Sequence, residues 1–341
     1  MASFSGSTSD DMLKIWTAIG LLAGLAVAAV LVAWQGFAAV ASEMAALGWG
    51  VVLLPFAFLP GFVLMALAWR LLFRPGAEAA VGDVLRARWM ALSVNVLLPL
   101  ATIGGEIVKA RVLMQAGIRA TEVVATMVVD KTVGAVSLTL WGLIGVAFLL
   151  SIESGGELAL WSATAFALLA AGIAVFIFGQ RAGAFGILAR LFGKLGKAGG
   201  RAAIVDEAAD LDATIRAIYG RRWRAAWACL LWLLSRILLT AEIWLAAALM
   251  GQPITLWEAL MLKSLISALR VAAFVVPGGW GVQEGGYIVL GGLIGLSPGF
   301  MLALSLATRA RELMVAIPGL LAWQHLEGRA LWRRLTATRR R

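Results

Sequence analysis

Two glutamates, Glu106 and Glu284, each follow a proline by seven residues and precede a base by twenty-five: Pro99, Glu106 and Lys131 in one half of the chain, Pro277, Glu284 and Arg309 in the other. Glycines crowd both carboxylates, as Gly104-Gly105-Glu106 and as Pro277-Gly278-Gly279-Trp280-Gly281-Val282-Gln283-Glu284. Dense glycine lets a backbone turn tightly and approach other groups closely. Proline ends an incoming helix, since it cannot donate a backbone N–H. Each carboxylate therefore falls at the start of an outgoing helix, where the local dipole favours its ionised form. Lys131 and Arg309 supply the opposite charge, and arginine offers a planar fork for phosphate or carboxylate. Asp130, Arg311 and Glu312 are close by in sequence, and Arg309 and Glu312 can share one helix face. Arg270 lies seven residues before Pro277, within reach of the same place. Asn95 and Gln283 are polar groups beside the breaks, where they would satisfy freed carbonyls, and Trp280 sits at a tip.

The elements that position these residues follow from composition. Of 341 residues 62% are hydrophobic and 14% charged, against about 25% charged in ordinary soluble domains; mean hydropathy is +0.91. The fold class read from this is an all-α polytopic membrane protein. A single cysteine, Cys229, excludes an internal disulfide and a Cys-based cluster, and the lone His325 stands outside any HExxH. No metal and no cofactor is expected. The net charge of +10 is explained by the positive-inside rule, so no nucleic-acid partner is expected.

Residues 1–13 read as a disordered start. Six full spans are expected: Ile15–Trp34, Met44–Trp69, Thr132–Ile152, Leu158–Gln180, Ala225–Leu249 and Gly299–Trp323. Arg70, Arg74, Arg86 and Arg88 crowd one connection, the 181–224 loop carries nine bases, and 324–341 is a basic tail. The connections 35–48, 151–157 and 250–257 carry no base. Both termini and the 181–224 loop are therefore expected on the cytoplasmic side. Within that loop, residues 201–219 show an apolar stripe of Ile204, Ala208, Leu211, Ile215 and Ile218, read as an interfacial helix on anionic lipid.

Sidedness then constrains two interrupted apolar stretches. Segment 89–116 has to enter and leave on the cytoplasmic side, and 257–294 from the outside. Each reads as a re-entrant hairpin with its Pro/Gly tip buried in protein, the setting in which non-helical backbone is tolerated at membrane depth. An offset of 178 maps Pro99, Glu106, Gly117 and Lys131 onto Pro277, Glu284, Gly295 and Arg309. The chain divides into halves 14–157 and 158–323 of opposite orientation. Such inverted repeats with broken helices are the architecture of secondary transporters.

Lys131 and Arg309 fall about 15 Å into their spans, near the middle of the apolar core. Charges at that depth face a partner or a cavity. One reading pairs Glu106 with Lys131 and Glu284 with Arg309 to lock the bundle. The other has these residues, with Asp130, Arg270, Arg311 and Glu312, lining a polar cavity that receives a lipid head group, the glutamates carrying protons if a gradient drives movement. A membrane enzyme using paired glutamates, or an ion channel built on opposed broken helices, are the alternatives.

The run Asn95-Val-Leu-Leu-Pro99, the Gly104-Gly105-Glu106 triplet, the Asp130-Lys131 pair and Pro277-Gly-Gly-Trp-Gly-Val-Gln-Glu284-Gly resemble the flippase-like family built on the transmembrane region of lysylphosphatidylglycerol synthase. The resemblance covers nearly the whole chain. It implies a bacterial inner-membrane lipid translocator without aminoacyl transfer. Ala68-Trp69-Arg70-Leu-Leu-Phe is similar to the subgroup associated with hopanoid biosynthesis. The partners implied are membrane lipids, hopanoid or phospholipid, with self-association left open.

Overall fold

A long apolar chain in lipid satisfies its backbone internally, and here it does so with helices. The computed structural model describes residues 37–76, 78–98, 103–152, 155–187, 201–273, 276 and 279–338, without the side chains of 37–40, 103, 201–205 and 327–338. The expected span Ile15–Trp34, the start 1–13, the tip residues Pro99, Pro277 and Gly278, the side chain of Ile204 and the terminal Arg339–Arg341 lie outside what is described.

Helix α1 (Phe37–Leu47) continues through a 3-10 turn (Gly48–Leu53) into α2 (Leu54–Arg70). Two short helices follow, α3 (Val81–Leu97) and α4 (Ile103–Gln115), then α5 (Ala120–Leu149), α6 (Gly156–Ala182), α7 (Arg201–Gly220) and α8 (Arg222–Leu249). A second short pair, α9 (Leu256–Ala272) and α10 (Val282–Leu293), leads into α11 (Pro298–Thr338). Segment Ala41–Arg70 and helices α5, α6 and α8 are long and apolar enough to cross a membrane. They correspond to four of the six expected spans. Helix α5 starts twelve residues before the expected Thr132, and α11 runs on past Trp323 into the basic tail. In both places charge bounds the apolar run without ending the helix, since Arg, Lys, Glu, Ala and Leu all favour helix.

Local sequence explains the ends. Thr255 caps α9: its hydroxyl accepts from the Glu258 N–H at 3.2 Å while Glu258 accepts from the Thr255 N–H at 2.7 Å. The repeat-matched glycines close α4 and α10 in the same way. Gly117 has φ +90° and Gly295 φ +77°. After them the N–H of Ile118 reaches Leu113 O at 3.1 Å, and that of Leu296 reaches Gly291 O at 3.0 Å.

Packing is reciprocal between the halves. Helix α3 lies on α11, and its counterpart α9 lies on α5, while α2 and α8 pack on each other at the centre. That central crossing is close at Gly61, where a Cβ would stand 2.8 Å from both Ser235 O and Leu239 Cγ. Helix α6 is peripheral: Leu168, Val175 and Phe178 are each at least 70% exposed, the face expected toward lipid. In α7, by contrast, Ile215 and Ile218 are buried against α5 and the 71–80 connection. Two of the four described stripe residues therefore cover protein, because apolar side chains of α5 and of the 71–80 connection lie beneath them, beside the carbonyl end of α2.

That end is held by arginines from the α7–α8 junction. Arg221 donates to Phe73 O at 2.7 Å and Leu72 O at 3.2 Å, and Arg224 donates to Leu71 O at 2.9 Å. These carbonyls have no partner within their own helix. Arg224 and Arg70 both pair with Glu78. The hydrogen bond from Arg224, reinforced by the charges of Arg224 and Arg70, holds the Glu78 carboxyl below the usual carboxylate range against the opposing effect of burial.

Two outcomes follow. Gly61→Ala should lower stability by about 1–3 kcal/mol through overpacking of α2 on α8, read as a lower unfolding temperature in detergent; Gly82→Ala, with open space around it, should not. A carboxyl depressed in the folded state contributes stability above its unfolded pKa and loses it as pH falls through the folded one. The stability of Glu78→Gln should therefore fall less steeply than wild type when acid titrates below the usual carboxylate range.

Candidate functional site

The scarce charges of the apolar bundle fall into two networks, one for each broken helix pair. In the first, Glu106 stands in the first turn of α4. It accepts from Lys131 of α5 at 2.7 Å and from Lys109 of its own helix at 3.0 Å. Beside it Asp130, 2% exposed, accepts from Arg88 of α3 at 2.7 Å and from the Trp232 indole of α8 at 2.8 Å. The Arg88 guanidinium lies 5.5 Å from the Trp69 ring and 5.0 Å from the Trp232 ring, and the Lys109 ammonium lies 5.6 Å from Trp69. Arg236, one turn beyond Trp232, shares that ring with Arg88, 5.3 Å from Trp232 and 5.7 Å from Trp141. The lysine at the edge, Lys131, has a side chain 58% exposed.

The second network is built on α8–α11. Glu284 opens α10 and is fully buried. Its carboxylate accepts from the Gly281 N–H at 2.7 Å, from Ser305 Oγ at 3.3 Å and from Arg309 Nε at 3.2 Å. Arg309 also donates to Gly279 O at 3.2 Å and to Glu312 at 3.3 Å, and its guanidinium lies 4.4 Å from the Trp280 ring. One side chain thus fastens the second break to α11. Glu312 takes a further bond from Arg270 at 2.7 Å. Next to it Arg311 grips Glu242 with two bonds, at 2.7 and 3.1 Å, and Lys263 shares that carboxylate at 3.0 Å.

Both ion pairs expected from spacing are present: Glu106 with Lys131 and Glu284 with Arg309. The eight charged residues expected at one place are divided by their ion pairs, three (Glu106, Asp130, Lys131) in the first network and five (Arg270, Glu284, Arg309, Arg311, Glu312) in the second. The two networks share one central helix pair. Helix α8 gives Trp232 and Arg236 to the first and Glu242 to the second; α2 gives Trp69 to the first and places Phe58 under Arg311 in the second. At 1.5 Å per residue, Arg236 and Glu242 differ by about 9 Å along α8.

The two polar tip residues both find partners. Asn95 Oδ1 accepts the freed N–H of Gly105 at 2.9 Å. Gly105 is needed there, because a Cβ would fall 2.5 Å from the Asn95 amide, and Gly104 beside it is buried. Gln283 donates to Ser305 and Thr308 hydroxyls at 2.9 and 3.1 Å, tying α10 to α11. From sequence Lys109 reads as a lysine snorkelling to the cytoplasmic surface, but it is buried at 7% exposure, held by Glu106 three residues before it. Arg88 had stood only as one of the loop bases. Its signal was its place on the buried face of α3 with Val84 and Ala91, a lone charge one turn from apolar neighbours. Lys109 carried another, three residues from Glu106.

A separate cavity of about 340 Å3 opens at the arginine-rich end, between Arg74, Pro75, Glu122, Thr214, Ala217, Ile218 and Arg221. Among the described residues no cluster of His, Cys, Asp and Glu could hold a metal ion.

The family described as the lysylphosphatidylglycerol synthase TM region matches residues 21–319. The chain belongs to that family and is a multi-pass membrane protein whose function is lipid-related. No curated protein and no solved structure matches it.

Glu242 gives the clearest stability test of the site. Glu242→Gln leaves Arg311 and Lys263 facing an amide in a fully buried place. Breaking such a pair costs about 3–5 kcal/mol, which chemical denaturation in detergent will read. Asp83→Asn, which removes an exposed pair with Arg86, should change stability by less than about 1 kcal/mol.

Proposed function

We propose that this member of the lysylphosphatidylglycerol synthase transmembrane-region family moves a polar-headed lipid between the leaflets of a bacterial inner membrane. The observation that carries the reading is the placement of two buried charge networks at different depths on one helix pair, each closing one broken helix pair. A head group travelling along α2 and α8 meets them in turn. Its own charges replace one partner of each ion pair as it passes, while the acyl chains stay in the bilayer.

The repeat supports alternating access. The matched glutamates, glycines and bases hold equivalent places in both halves, and α3 on α11 mirrors α9 on α5. With both termini cytoplasmic, the two helix pairs enter as re-entrant hairpins from opposite sides and act as opposed gates. The substrate class is a hopanoid-related lipid or an anionic phospholipid. Exposed bases such as Arg216 and Arg222 of the 181–224 loop are placed to meet an anionic leaflet. Glu106 and Glu284 are the groups that would carry a proton if a gradient drives the cycle.

The test is lipid movement in vesicles holding the purified protein, followed with a fluorescent lipid quenched from outside. Wild type should speed exchange between leaflets. Glu284→Gln keeps an oxygen for the Gly281 N–H but removes the charge opposite Arg309 in a fully buried pair, so it should slow exchange at least about tenfold at temperatures where the variant is still folded, its unfolding temperature lying below that of wild type. Wild-type vesicles with no exchange above empty ones would overturn the proposal. Ionic conductance without lipid movement would favour a channel, and a change in lipid mass on incubation an enzyme.

A further inference from the structure

We infer that the first network is itself a binding site, built around Trp232, and that it selects an anion: a phosphate-bearing head group with more negative than positive charge. That its ligand is a lipid rests on the transport reading; that it takes an anion rests on three observations independent of it.

The first is charge. Arg88, Lys109, Lys131 and Arg236 face two carboxylates, Glu106 and Asp130. The second network sets four cations against three carboxylates, Glu242, Glu284 and Glu312. Positive charge held at membrane depth is costly and marks a functional pathway when its own partners do not balance it.

The second is the setting of Arg236. It stands at the middle of the 28-residue α8. The acceptors of its guanidinium are neutral, Ser137 Oγ at 2.9 Å and Gly134 O at 2.9 Å. The Trp141 and Trp232 indoles lie against it, and Arg88 shares the Trp232 ring. Cation–π contact softens the burial of a guanidinium but supplies no counter-charge.

The third is a pair of orphaned donors. Among the described residues two buried side-chain atoms have no hydrogen-bond partner, Arg88 Nε and Trp141 Nε1. Arg88 is 7% exposed and Trp141 1%. Buried donors without acceptors are rare and call for an explanation. Both flank the same Trp232–Arg236 stack, Arg88 over Trp232 and Trp141 under Arg236. Two orphaned N–H donors beside surplus cations suit a ligand that offers only acceptors. Phosphate oxygens do so, and arginine binds them with charge-assisted bonds. A choline or amine head would add positive charge to the surplus, and the rings that could cradle it are already covered by arginines. Lys131, more than half exposed beside Glu106, marks the side from which such a group enters.

The experiment measures binding without transport. Purified full-length protein in detergent is titrated with short-chain phosphatidic acid, short-chain phosphatidylcholine and inorganic phosphate, and occupancy is read by native mass spectrometry. Phosphatidic acid should bind at least about tenfold more tightly than phosphatidylcholine. Arg236→Gln, which deserts no carboxylate, should lose that preference while its unliganded unfolding temperature stays near wild type. Arg236→Lys should keep part of it, and Arg86→Gln, an exposed arginine outside both networks, should leave phosphatidic acid binding unchanged within about threefold. Because Arg88→Gln alone strands Asp130, Arg88 is tested with Asp130→Asn, and that pair should also lose the preference. Displacement of phosphatidic acid by inorganic phosphate would assign the site to the bare anion; binding of phosphatidic acid through Arg236 without such displacement would assign it to lipid.

Equal affinity for the two lipids, or a preference that survives Arg236→Gln, would overturn the anion site. Protein that binds phosphatidic acid through Arg236 yet moves no lipid in vesicles would sink the transport reading and leave the site standing. Protein that moves both lipids and binds them equally would do the reverse.

Discussion

Removing an ion from water is the expense around which this bundle is arranged. Asp130, Glu242 and Glu284 are almost wholly buried, and each is met by a cation plus at least one further donor from another element. Those donors come from different helices. Asp130 draws α3 and α8 to α5; Glu242 draws α9 and α11 to α8; Glu284 ties a chain break to α11. Apolar packing in lipid does not by itself distinguish one helix neighbour from another, because lipid tails are as apolar as leucine. A carboxylate that is costly anywhere else does distinguish them. The same contacts that neutralise the charges therefore specify which helices lie together.

Backbone breaks face the same requirement, and the two copies of the motif meet it with different atoms. After the first break the Gly105 N–H is taken by Asn95 from the incoming helix. After the second, the Gly281 N–H is taken by Glu284 of the outgoing helix, and the Gly279 carbonyl by Arg309. The second break is thus held by an ion pair, whereas the first is held by a neutral amide and leaves its glutamate to two lysines. Breaking the Arg309 contacts would release both a charge and a chain break at once; separating Glu106 from Lys131 would leave the carboxylate still held by Lys109.

Much of this was legible because charges are scarce in so apolar a chain. Glu106 with Lys131 and Glu284 with Arg309 could be paired from spacing, and the helix breaks fell where proline and glycine gathered. The four long apolar helices followed from composition, displaced only where charged residues continue a helix. What spacing did not show was the face a helix turns to its neighbour. Lys109 read as a surface lysine until α4 was laid on α3 and its ammonium came to rest beside Trp69. Arg88 lies on one stretch of sequence and Trp232 and Arg236 on another, and only packing joins them. Asn95 and Gln283 were rightly marked as polar groups needing partners, but which partner depends on geometry across the break. In α7 the apolar period was visible, while its choice of protein over lipid at Ile215 and Ile218 depended on the apolar side chains that α5 and the 71–80 connection place beneath it.

The two networks differ in a way that bears on how such a bundle could change state. A conformational equilibrium responds to a ligand only through a difference in affinity between its states. The second network, nearly balanced in charge and fastened to its break by Arg309, loses strong internal bonds when opened and gains nothing unless a guest replaces them. The first has two cations in excess and two donors without acceptors, so a negative guest gains interactions there without first displacing a carboxylate. An anion received at the first network would then lower the positive field felt along α2 and α8, where Phe58 lies against Arg311 of α11 and where Glu242 sits. Occupancy at one depth changes the cost of parting charges at the other through the one helix pair that carries both.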